Sequence, residues 1–493
     1  MSAAAAVLCG PAHATLTLST QPTHNVTCSA GVCSTISKRA ILNVNDLASL
    51  LATSDITVQS GRRTRDIVIA APLSWTGAHG LTFNSDRSLI VEKPIVVMGA
   101  GGLTIDTNTE TGGTYSFGEK GNVTFLDMSS ALQINGMNFK LAGDLATLAS
   151  DVAGDPISNY ALANDYNAGP DGQYSSSPVS TPLNARFEGL GHTVSNLKIK
   201  STAAGANVGM FSQVSGLLHL HFVKANVDST GEGSNVGVAG GNCSGLIIDV
   251  TVSRIAVAAA ADSLVGGICG IIGPGGLANV HASGTVTGRG NHGTHGKAGG
   301  LAGELAGAGV GASDSAVNVT GAKHWTVGGL VGATVGSYSI LKDYATGTVI
   351  VGDDGTAGGL VGFNDVQQVG ESYATGTVIG GAGASVGGLI GIDTGPVSDV
   401  YSTGAVASGS AAAVGGLIGA AQGDQAVLMN TYWDTDTSGQ SHGVGSDTGY
   451  PGVTGLTTAQ LQSGLPTGFS DLIWAQDPGI NNGFPYLLVD PPQ

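Results

Sequence analysis

The most suggestive chemical grouping in the sequence is the acidic segment from Asp434 to Gly439, which reads DTDTSG. Oxygen-bearing side chains at alternate positions are typical of the opening of a calcium-binding loop, and the candidate ligands here are Asp434, Asp436 and Ser438. Such a loop is closed by a glutamate at its twelfth position, where this chain has Gly445. A turn capped by Asp and Ser side chains explains the segment more simply. The sequence therefore predicts no cofactor, with calcium at these three residues as the alternative.

Two further groupings suggest metal binding or catalysis, but each lacks the additional ligands or the backbone turn that such a site requires. His292 and His295 lie in one loop, whereas zinc requires about three or four ligands, and no Cys or carboxylate lies close by in sequence. The segment Gly383–Gly387 fits the pattern G-x-S-x-G, yet a nucleophile elbow requires a strand-to-helix turn. We interpret the histidines as part of a solvated loop and the serine motif as accidental.

Three aspartates are candidates for polysaccharide chemistry: Asp343, Asp353 and Asp354. Enzymes of this kind bring carboxylates together across a site, often beside Lys or Arg. Lys342 is the last basic residue, and 14 acidic side chains follow it with no further Lys or Arg. The sequence therefore favours a protein that is not an enzyme and assigns these aspartates to turns.

The charge balance restricts the partners of the protein. The 493 residues include 18 Lys and Arg and 35 Asp and Glu, which gives a net charge of −17. Nucleic-acid binding draws most of its affinity from Lys and Arg at phosphates, so we expect no nucleic-acid partner. Hydrophobic residues make up 42% of the chain, which is too many for a disordered protein. No glycine-free apolar run reaches about 18 residues, so the sequence predicts no membrane-spanning segment.

Self-comparison identifies the repeated unit that must position any of these residues. The motif Gly-Gly-(Leu/Ile)-x-Gly occurs six times, and two weaker copies precede it. Consecutive copies are separated by 28 to 33 residues, and such a near-constant period is the signature of a solenoid. The copies are anchored at Gly209, Gly237, Gly266, Gly299, Gly328, Gly358, Gly387 and Gly415.

The repeats predict an all-β fold, a single-stranded parallel β-helix. Runs such as TVGGLVG and YATGTVIV are rich in β-branched residues and bounded by Gly, Asp and Ser, which indicates strands. So short a unit cannot bury its own apolar face, whereas stacked neighbours bury a continuous core. One aliphatic column should stack inward with about 4.8 Å between coils. This ladder comprises Leu301, Leu330, Leu360, Leu389 and Leu417.

The remaining segments complete the predicted organisation. Residues 15–140 carry β-type runs without the motif and form an irregular N-terminal β-helical region. Residues 141–182 hold one short helix, near 144–153, and a polar loop. The repeat β-helix occupies residues 183–435, and the aperiodic, more aromatic residues 436–493 form a C-terminal cap.

Cysteine spacing points to an oxidising compartment. Cys28 and Cys33 are close enough to close a small loop, so they are the disulfide candidate. Cys243 and Cys269 fall three positions out of line when the repeats are aligned, roughly 10 Å along an extended strand. A disulfide requires Cα atoms within about 7 Å, so these two are expected to be free thiols. Residues 1–14 end in an A-x-A-like site and are interpreted as the remnant of a signal peptide.

The repeats resemble a known family. GGLVG followed by YATGTV is similar to the GLUG motif of large secreted bacterial surface proteins, among them filamentous-haemagglutinin-like adhesins and some immunoglobulin A peptidases. The segments YALANDYNA (Tyr160 to Ala168) and RFEGLGHTVSNLKI (Arg186 to Ile199), with the ending TYWDTDTSGQS, match the same pattern over residues 130–493. The resemblance implies a β-helical surface or secreted protein. Two family features are not found: the zinc-binding HExxH of the peptidases and the dedicated secretion domain of the adhesins.

The sequence thus predicts a non-catalytic, adhesin-like bacterial protein that is secreted or exposed on the outer cell surface. Its expected partners are host or matrix glycans or proteins, or neighbouring cells, and an outer-membrane transporter for its secretion. Two alternatives remain open. One is a polysaccharide-active lyase or hydrolase on the same fold, and the other is a passenger or spacer segment of a larger secreted protein.

Overall fold

The computed structural model of the chain describes residues 14–290, 295–336, 338–365, 367–410, 412–423, 426–445 and 450–492. Strands dominate these residues, and the four α-helices within them are short: α1 (Val44–Leu51), α2 (Leu145–Gly154), α3 (Thr435–Ser438) and α4 (Thr458–Leu461). No helix in these ranges is long and apolar enough to cross a membrane. The predicted signal-peptide remnant lies outside the described residues, except for Ala14.

The short helix predicted near residues 144–153 is confirmed as α2. It begins after Asp144, whose Oδ1 accepts a hydrogen bond from the Thr147 backbone N–H at 2.7 Å. A carboxylate at this place satisfies a donor that the first helical turn leaves without a partner. Leu145, Leu148 and Val152, which the helical period places on one face, are all fully buried.

The first of two compact units comprises residues 1–147, 158–166 and 187–193. Most of its strands lie parallel to strands of the neighbouring coils. One sheet contains Tyr115–Phe117, Leu89–Val91, Asp66–Ile69, Thr15–Ser19 and Ala40–Asn43, and a second contains Val123–Phe125, Ile95–Val97 and Leu73–Trp75. The third series contains Val26–Ser29, Val32–Thr35, Ile56–Gln59, Leu81–Ser85, Leu103–Thr107, Leu132–Ile134, Met137–Ala142, Asn159–Leu162 and Phe187–Glu188.

The second unit comprises residues 148–157, 167–186 and 194–493 and contains the repeats. Its most regular face is a parallel sheet of eight strands, one from each motif copy. In spatial order these are Asn207–Val208, Asn235–Val236, Leu264–Gly266, Lys297–Gly299, Thr326–Gly328, Thr356–Gly358, Ser385–Gly387 and Ala413–Gly415.

Further strands of the second unit form its other faces. Two long bent strands, Gly240–Ala259 and Cys269–Gly288, pair in parallel along most of their length. The shorter strands of these faces are Lys198–Ser201, Phe211–Val214, Leu217–Val223, Asn226–Ser229, Ala302–Ala306, Ala308–Gly311, Asp314–Gly321, Val331–Val335, Ser339–Leu341, Tyr344–Ala345, Val349–Val351, Val361–Asn364, Gln368–Gly370, Tyr373–Ala374, Val378–Gly380, Ile390–Asp393, Val397–Ser402, Val406–Ser408, Ile418–Ala421, Leu428–Asp434 and Val453–Leu456. Trp474–Ala475 and Tyr486–Leu487 lie outside these faces and pair with each other as a two-stranded antiparallel sheet.

The parallel β-helix predicted from the repeats is confirmed, and so is its register. The residue before each motif glycine pairs with its counterpart in the next coil, from Val208 with Val236 to Val386 with Val414. The motif glycines pair in the same way, for example Gly328 with Gly358. A fixed spacing of apolar residues therefore becomes a continuous interior column, because each coil repeats the path of the one before it.

The predicted leucine ladder lies in this interior. All five side chains are fully buried. The backbone N–H of Leu301 donates to the carbonyl of Leu330 at 2.8 Å, and the same 2.8 Å bond joins Leu330 to Leu360, Leu360 to Leu389 and Leu389 to Leu417. Each rung of the ladder is thus joined to the next coil by a backbone hydrogen bond, while its side chain is buried in the interior.

The chain contains two disulfides among the described cysteines, Cys28–Cys33 and Cys243–Cys269. The first joins the sequence-predicted pair. The second shows that the prediction of free thiols at Cys243 and Cys269 was wrong. The register was correct, because Gly240 pairs with Cys269, but the Cα atoms of the two cysteines are only 6.2 Å apart.

The error lies in treating residues 240 to 243 as an extended strand. Gly240 and Gly241 are consecutive and both buried, which breaks the alternation of a flat strand. Pairing with the preceding coil involves Gly240, Asn242 and Cys243 but omits Gly241. The chain bends here, and the Cys243 side chain turns into the interior, where its sulfur lies 3.0 Å from the place that a Cβ of Gly240 would occupy. From there it reaches Cys269.

Removing the inner disulfide is expected to destabilise the protein by about 3–4 kcal/mol, because a link across 26 residues restricts the unfolded chain. The double variant Cys243→Ala/Cys269→Ala should show this loss in equilibrium denaturant unfolding. The double variant Cys28→Ala/Cys33→Ala is the matched control, and its separation of 5 residues predicts a smaller loss of about 2 kcal/mol. Alkylation of the denatured, unreduced protein followed by peptide mass mapping should leave Cys243 and Cys269 unmodified; alkylation of both would contradict the second disulfide.

Candidate functional site

A row of tyrosines runs along one outer face of the repeats. Tyr344, Tyr373, Tyr401 and Tyr432 occupy the same position in four successive coils and pair in register. The rings of Tyr344 and Tyr373 are parallel with centroids 4.9 Å apart, and those of Tyr373 and Tyr401 are 5.0 Å apart. The first three begin the YATGTV-type segments, so the sequence period itself produces the stack.

The C-terminal segment that follows the last parallel strand, residues 457–492, packs on this row and runs back along it. The Tyr432 hydroxyl donates to the carbonyl of Thr467 at 2.7 Å, and the Tyr401 hydroxyl donates to the carbonyl of Pro485. The Trp474 ring lies 6.0 Å from Tyr373 and 5.9 Å from Tyr401. Within the predicted cap, residues 436–493, this part therefore forms a strap that crosses successive coils along their side, whereas Val453–Leu456 still pairs with the coil before it.

A cleft of about 390 Å³ opens where the strap reaches the coil before Tyr344. His281 and Asp314 occupy the tyrosine position in the two preceding coils, because His281 pairs with Asp314 and Asp314 pairs with Tyr344. Asp490 of the strap completes the polar wall. The full lining is Thr251, Val252, Ser253, His281, Ala282, Ser283, Asp314, Ala316, Tyr344, Thr346, Asp490 and Pro492.

The titratable groups of the cleft lie close together. Nδ1 of His281 is hydrogen-bonded to Oδ2 of Asp314 and lies 4.0 Å from Oδ2 of Asp490. On the other side of the ring, Nε2 of His281 is 3.1 Å from Oδ1 of Asn279. One ligand atom from each of His281, Asp314 and Asp490 lies within 4.8 Å of the others, and this is the only such group of His, Cys, Asp or Glu found in the described ranges.

Burial and mutual charge alter the acidity of these groups. Desolvation, followed by the charge of Asp314, raises the pKa of Asp490 from 3.8 to about 7, although the charge of His281 opposes the shift. Desolvation alone would lower the pKa of His281, but the hydrogen bond to Asp314 and its charge outweigh this, so the pKa is raised. Two carboxylates that approach each other in a shielded place require a shared proton or a cation.

Asp343, one of the three sequence candidates, lies fully buried beside this cleft. Its Oδ1 accepts a hydrogen bond from the backbone N–H of Ser313 at 2.8 Å, and its Oδ2 has no hydrogen-bond partner in the described structure. Burial, with the charges of Asp490 and Asp314, raises the pKa of this carboxyl well above its usual value.

The other sequence candidates are not brought into the cleft. Asp353 accepts a hydrogen bond from the backbone of Ala382 at 2.9 Å, and Asp354 forms an ion pair with Lys323 at 3.2 Å, so both serve a turn between coils. His295 donates its backbone N–H to Asp262, whereas His292 lies outside the described residues.

The side-chain oxygens of the calcium candidates accept hydrogen bonds from backbone N–H groups at the ends of α3 and α4. Asp434 is buried and caps α3 by accepting from the backbone N–H groups of Asp436 and Thr437 at 2.9 and 3.2 Å. Asp436 accepts from the backbone N–H of Thr458 at 3.0 Å, and Ser438 accepts from Gln440 at 3.2 Å. These oxygens already have protein donors, as the turn interpretation of the segment requires.

Sequence reasoning missed the cleft for two different reasons. His281 and Asp314 occupy the repeat position at which the later copies have tyrosine. An alignment of the repeats at that position would have identified both as exceptions. Asp490 belongs to the aperiodic strap, and only the tertiary path of that strap brings it to His281. No local pattern around Asp490 indicates this position.

A second buried carboxylate, Asp393, gives a prediction about pH. Its Oδ1 accepts from the Asn364 side chain at 2.8 Å, whereas its Oδ2 has no hydrogen-bond partner among the described residues. Desolvation raises its pKa from 3.8 to about 6. The unfolded state then loses the proton first, so the free energy of unfolding should fall as the pH rises from about 4 to about 6, by about 3 kcal/mol in total.

The variant Asp393→Asn is expected to lose this pH dependence and to be more stable than the wild type by up to about 3 kcal/mol at pH 8. Denaturant unfolding at several pH values measures the difference. Asp477→Asn is the control, because Asp477 is exposed and its backbone contact to Gly479 can be kept by the amide oxygen. An Asp393→Asn variant that is less stable than the wild type at pH 8 would contradict the prediction.

Comparison with known proteins identifies no protein family whose pattern matches the chain and no similar curated protein. Among solved structures, a suspected immunoglobulin A1 protease from Bacteroides ovatus is similar at 18% identity and a TM-score of 0.40, over 68% of this chain and 86% of that one. A second structure, named IgA1 protease, is similar at 19% identity and a TM-score of 0.33, over 58% of this chain and 20% of that one. Values this low carry no information about function.

Proposed function

We propose that this chain is a non-catalytic, adhesin-like protein of the GLUG-motif type that is secreted or held at the outer cell surface. The observation that carries the proposal is the combination of a stacked parallel β-helix with two disulfides. Disulfides of this kind persist in oxidising, extracytoplasmic environments. A rigid solenoid in such a place presents a long surface on which partners can bind.

The cleft favours a glycan as the partner. Its walls carry the hydroxyls of Thr251, Ser253 and Ser283 beside the carboxylates of Asp314 and Asp490. Hydroxyls and carboxylates are suited to the alternating donors and acceptors of a sugar ring. We accordingly propose host or matrix glycans as ligands, with secretion through an outer-membrane transporter.

A polysaccharide lyase or hydrolase is the second candidate, because His281, Asp314 and Asp490 combine a base and two carboxylates in one cleft. The spacing of the carboxylates argues against an inverting enzyme, which separates its two carboxyl groups by about 6.5–9.5 Å to hold a water between them. One oxygen of Asp314 and one of Asp490 lie within 4.8 Å of each other here. Retaining glycosidases place the two groups about 5–5.5 Å apart, so the assay described next decides that case.

A glycan array probed with the purified full chain tests the proposal, followed by incubation of each bound glycan with the protein. Binding without cleavage, weakened by Ser253→Ala and Thr251→Ala, is the expected result. Release of reducing ends or unsaturated sugars, abolished by Asp314→Asn, would establish the enzyme instead. Absence of binding to every glycan and to matrix proteins would overturn the adhesin-like function.

A further inference from the structure

The cleft residues have the composition of a metal site. One imidazole nitrogen and two carboxylate oxygens approach from three separate parts of the chain. This mixed set suits zinc and neighbouring first-row transition metals, whereas calcium prefers oxygen ligands alone. Zinc lies about 2.0–2.2 Å from such ligands, so two ligands of one ion are at most about 4.4 Å apart. The 4.0 Å between His281 Nδ1 and Asp490 Oδ2 falls within this limit.

A hydrogen bond from the far side of the His281 ring to Asn279 fixes the orientation of the ring, as outer partners do in known metal sites. The amide oxygen of Asn279 can only accept, so the Nε2 of His281 must donate to it and Nδ1 faces the two carboxylates. The Asn279 amide in turn donates to Asp249, and Asp249 pairs with His219 at 3.2 Å. Outer partners of this kind select the tautomer and hold the ring of a ligating histidine.

Buried polar atoms without hydrogen-bond partners provide a second, independent observation at the cleft. The Asp490 Oδ2 and Asp343 Oδ2 atoms and the Tyr373 hydroxyl are all shielded from solvent and lack a hydrogen-bond partner in the described structure. Of these three atoms, Asp490 Oδ2 belongs to the cleft lining itself. Asp343 is next in sequence to Tyr344, and the buried Tyr373 ring stacks on that of Tyr344, which lines the cleft. Unpaired buried groups are costly, so a cation at Asp490 would relieve that cost.

We propose that His281, Asp314 and Asp490 bind one divalent transition-metal ion, with its remaining coordination positions open to the cleft. The ion replaces the proton between His281 and Asp314 and neutralises the two carboxylates. Because Asp490 belongs to the strap, the ion also ties the strap to the coils that carry His281 and Asp314. This inference does not depend on the adhesin-like function.

The test uses the full chain, stripped of metal with a chelator and then titrated calorimetrically with Zn²⁺ or with Ca²⁺. Saturable binding of one Zn²⁺ per chain, with release of a proton and little response to Ca²⁺, is expected. Hydrogen exchange should slow in the strap around residues 474–490 when Zn²⁺ is present. This readout reports the position of the ion without requiring any activity.

Variants locate the site. His281→Gln and Asp490→Asn should each weaken Zn²⁺ binding by roughly 100-fold or more, and Asn279→Ala by roughly 10- to 100-fold through the outer shell. Asp490→Asn changes only the strap, and circular dichroism verifies that the β-helix remains folded. His79→Gln is the matched control, since His79 also pairs with an aspartate, Asp55 at 3.3 Å, and should leave binding unchanged.

Three results would overturn the proposal. The first is no saturable Zn²⁺ binding at millimolar concentration, which would leave a shared proton as the explanation of the paired carboxylates. The second is full-strength binding in both His281→Gln and Asp490→Asn, which would place the ion elsewhere. The third is tighter binding of Ca²⁺ than of Zn²⁺, because an imidazole ligand does not favour calcium.

Discussion

Replacing Gly358 with alanine is expected to destabilise the protein by more than about 4 kcal/mol, a loss found only where a substitution breaks a specific structural requirement. A Cβ at this position would lie 1.9 Å from the carbonyl oxygen of Val361 and 2.6 Å from the backbone nitrogen of Gly391 in the next coil. Both obstacles are backbone atoms within hydrogen-bonded coils, so neither can move aside cheaply. The requirement for glycine is close approach, since Gly358 is absent from the residues with positive φ.

Gly464→Ala is the matched control for this effect. A Cβ at Gly464 would meet no atom within 4 Å, and this glycine also lacks a positive φ. Equilibrium unfolding in denaturant should therefore separate the two variants clearly. If Gly358→Ala costs no more than Gly464→Ala, the coils do not approach as closely as the structure shows.

Truncating Leu360 to alanine is expected to cost about 2–5 kcal/mol, because a fully buried leucine leaves a cavity that its neighbours fill only in part. Leu360 has no exposed surface and lies between Leu330 and Leu389, to which it is joined by backbone hydrogen bonds of 2.8 Å. In a stack where each coil contacts only its neighbours, the loss should spread to the adjoining coils. Hydrogen exchange should therefore accelerate in Thr326–Gly328 and Ser385–Gly387 as well.

Ile350→Ala provides the comparison for Leu360→Ala. Ile350 is 38% exposed, so the same kind of truncation should cost less than about 1 kcal/mol. Equal losses for the two variants, or faster exchange confined to the coil of Leu360, would contradict a continuous ladder.

The fold could be predicted because the repeats encode it redundantly. Each coil carries the same apolar column, and the column from Val208 to Val414 has the register that the motif glycines indicate. Eight copies report the same geometry, so a local irregularity does not change the conclusion. Cys243 shows the limit of this reasoning. The repeat alignment places it three positions from Cys269 along an extended strand, but the bend after Gly240 brings the two cysteines close enough to form a disulfide.

The candidate site could be predicted only in part, since its residues depart from the repeat instead of following it. His281 was visible as the first residue of HASGTV, in the place where YATGTV has tyrosine, but the period alone treats it as one more copy. Asp490 has no repeat partner, and its position follows from aromatic packing between Trp474 and the row of tyrosines. Contacts made by an aperiodic segment depend on its full path, which no local spacing specifies.

The strap has a mechanical consequence. Asp490 lies beside His281, whereas the strand Leu428–Asp434 that precedes the strap belongs to a coil several repeats further on. Tension applied to the chain beyond Asp490 would therefore enter the solenoid at its middle coils instead of at its last one. The strap would have to lose its contacts with Tyr373, Tyr401 and Tyr432 in turn before the final coil carried any load. The aromatic row would therefore resist extension in successive steps, one contact at a time.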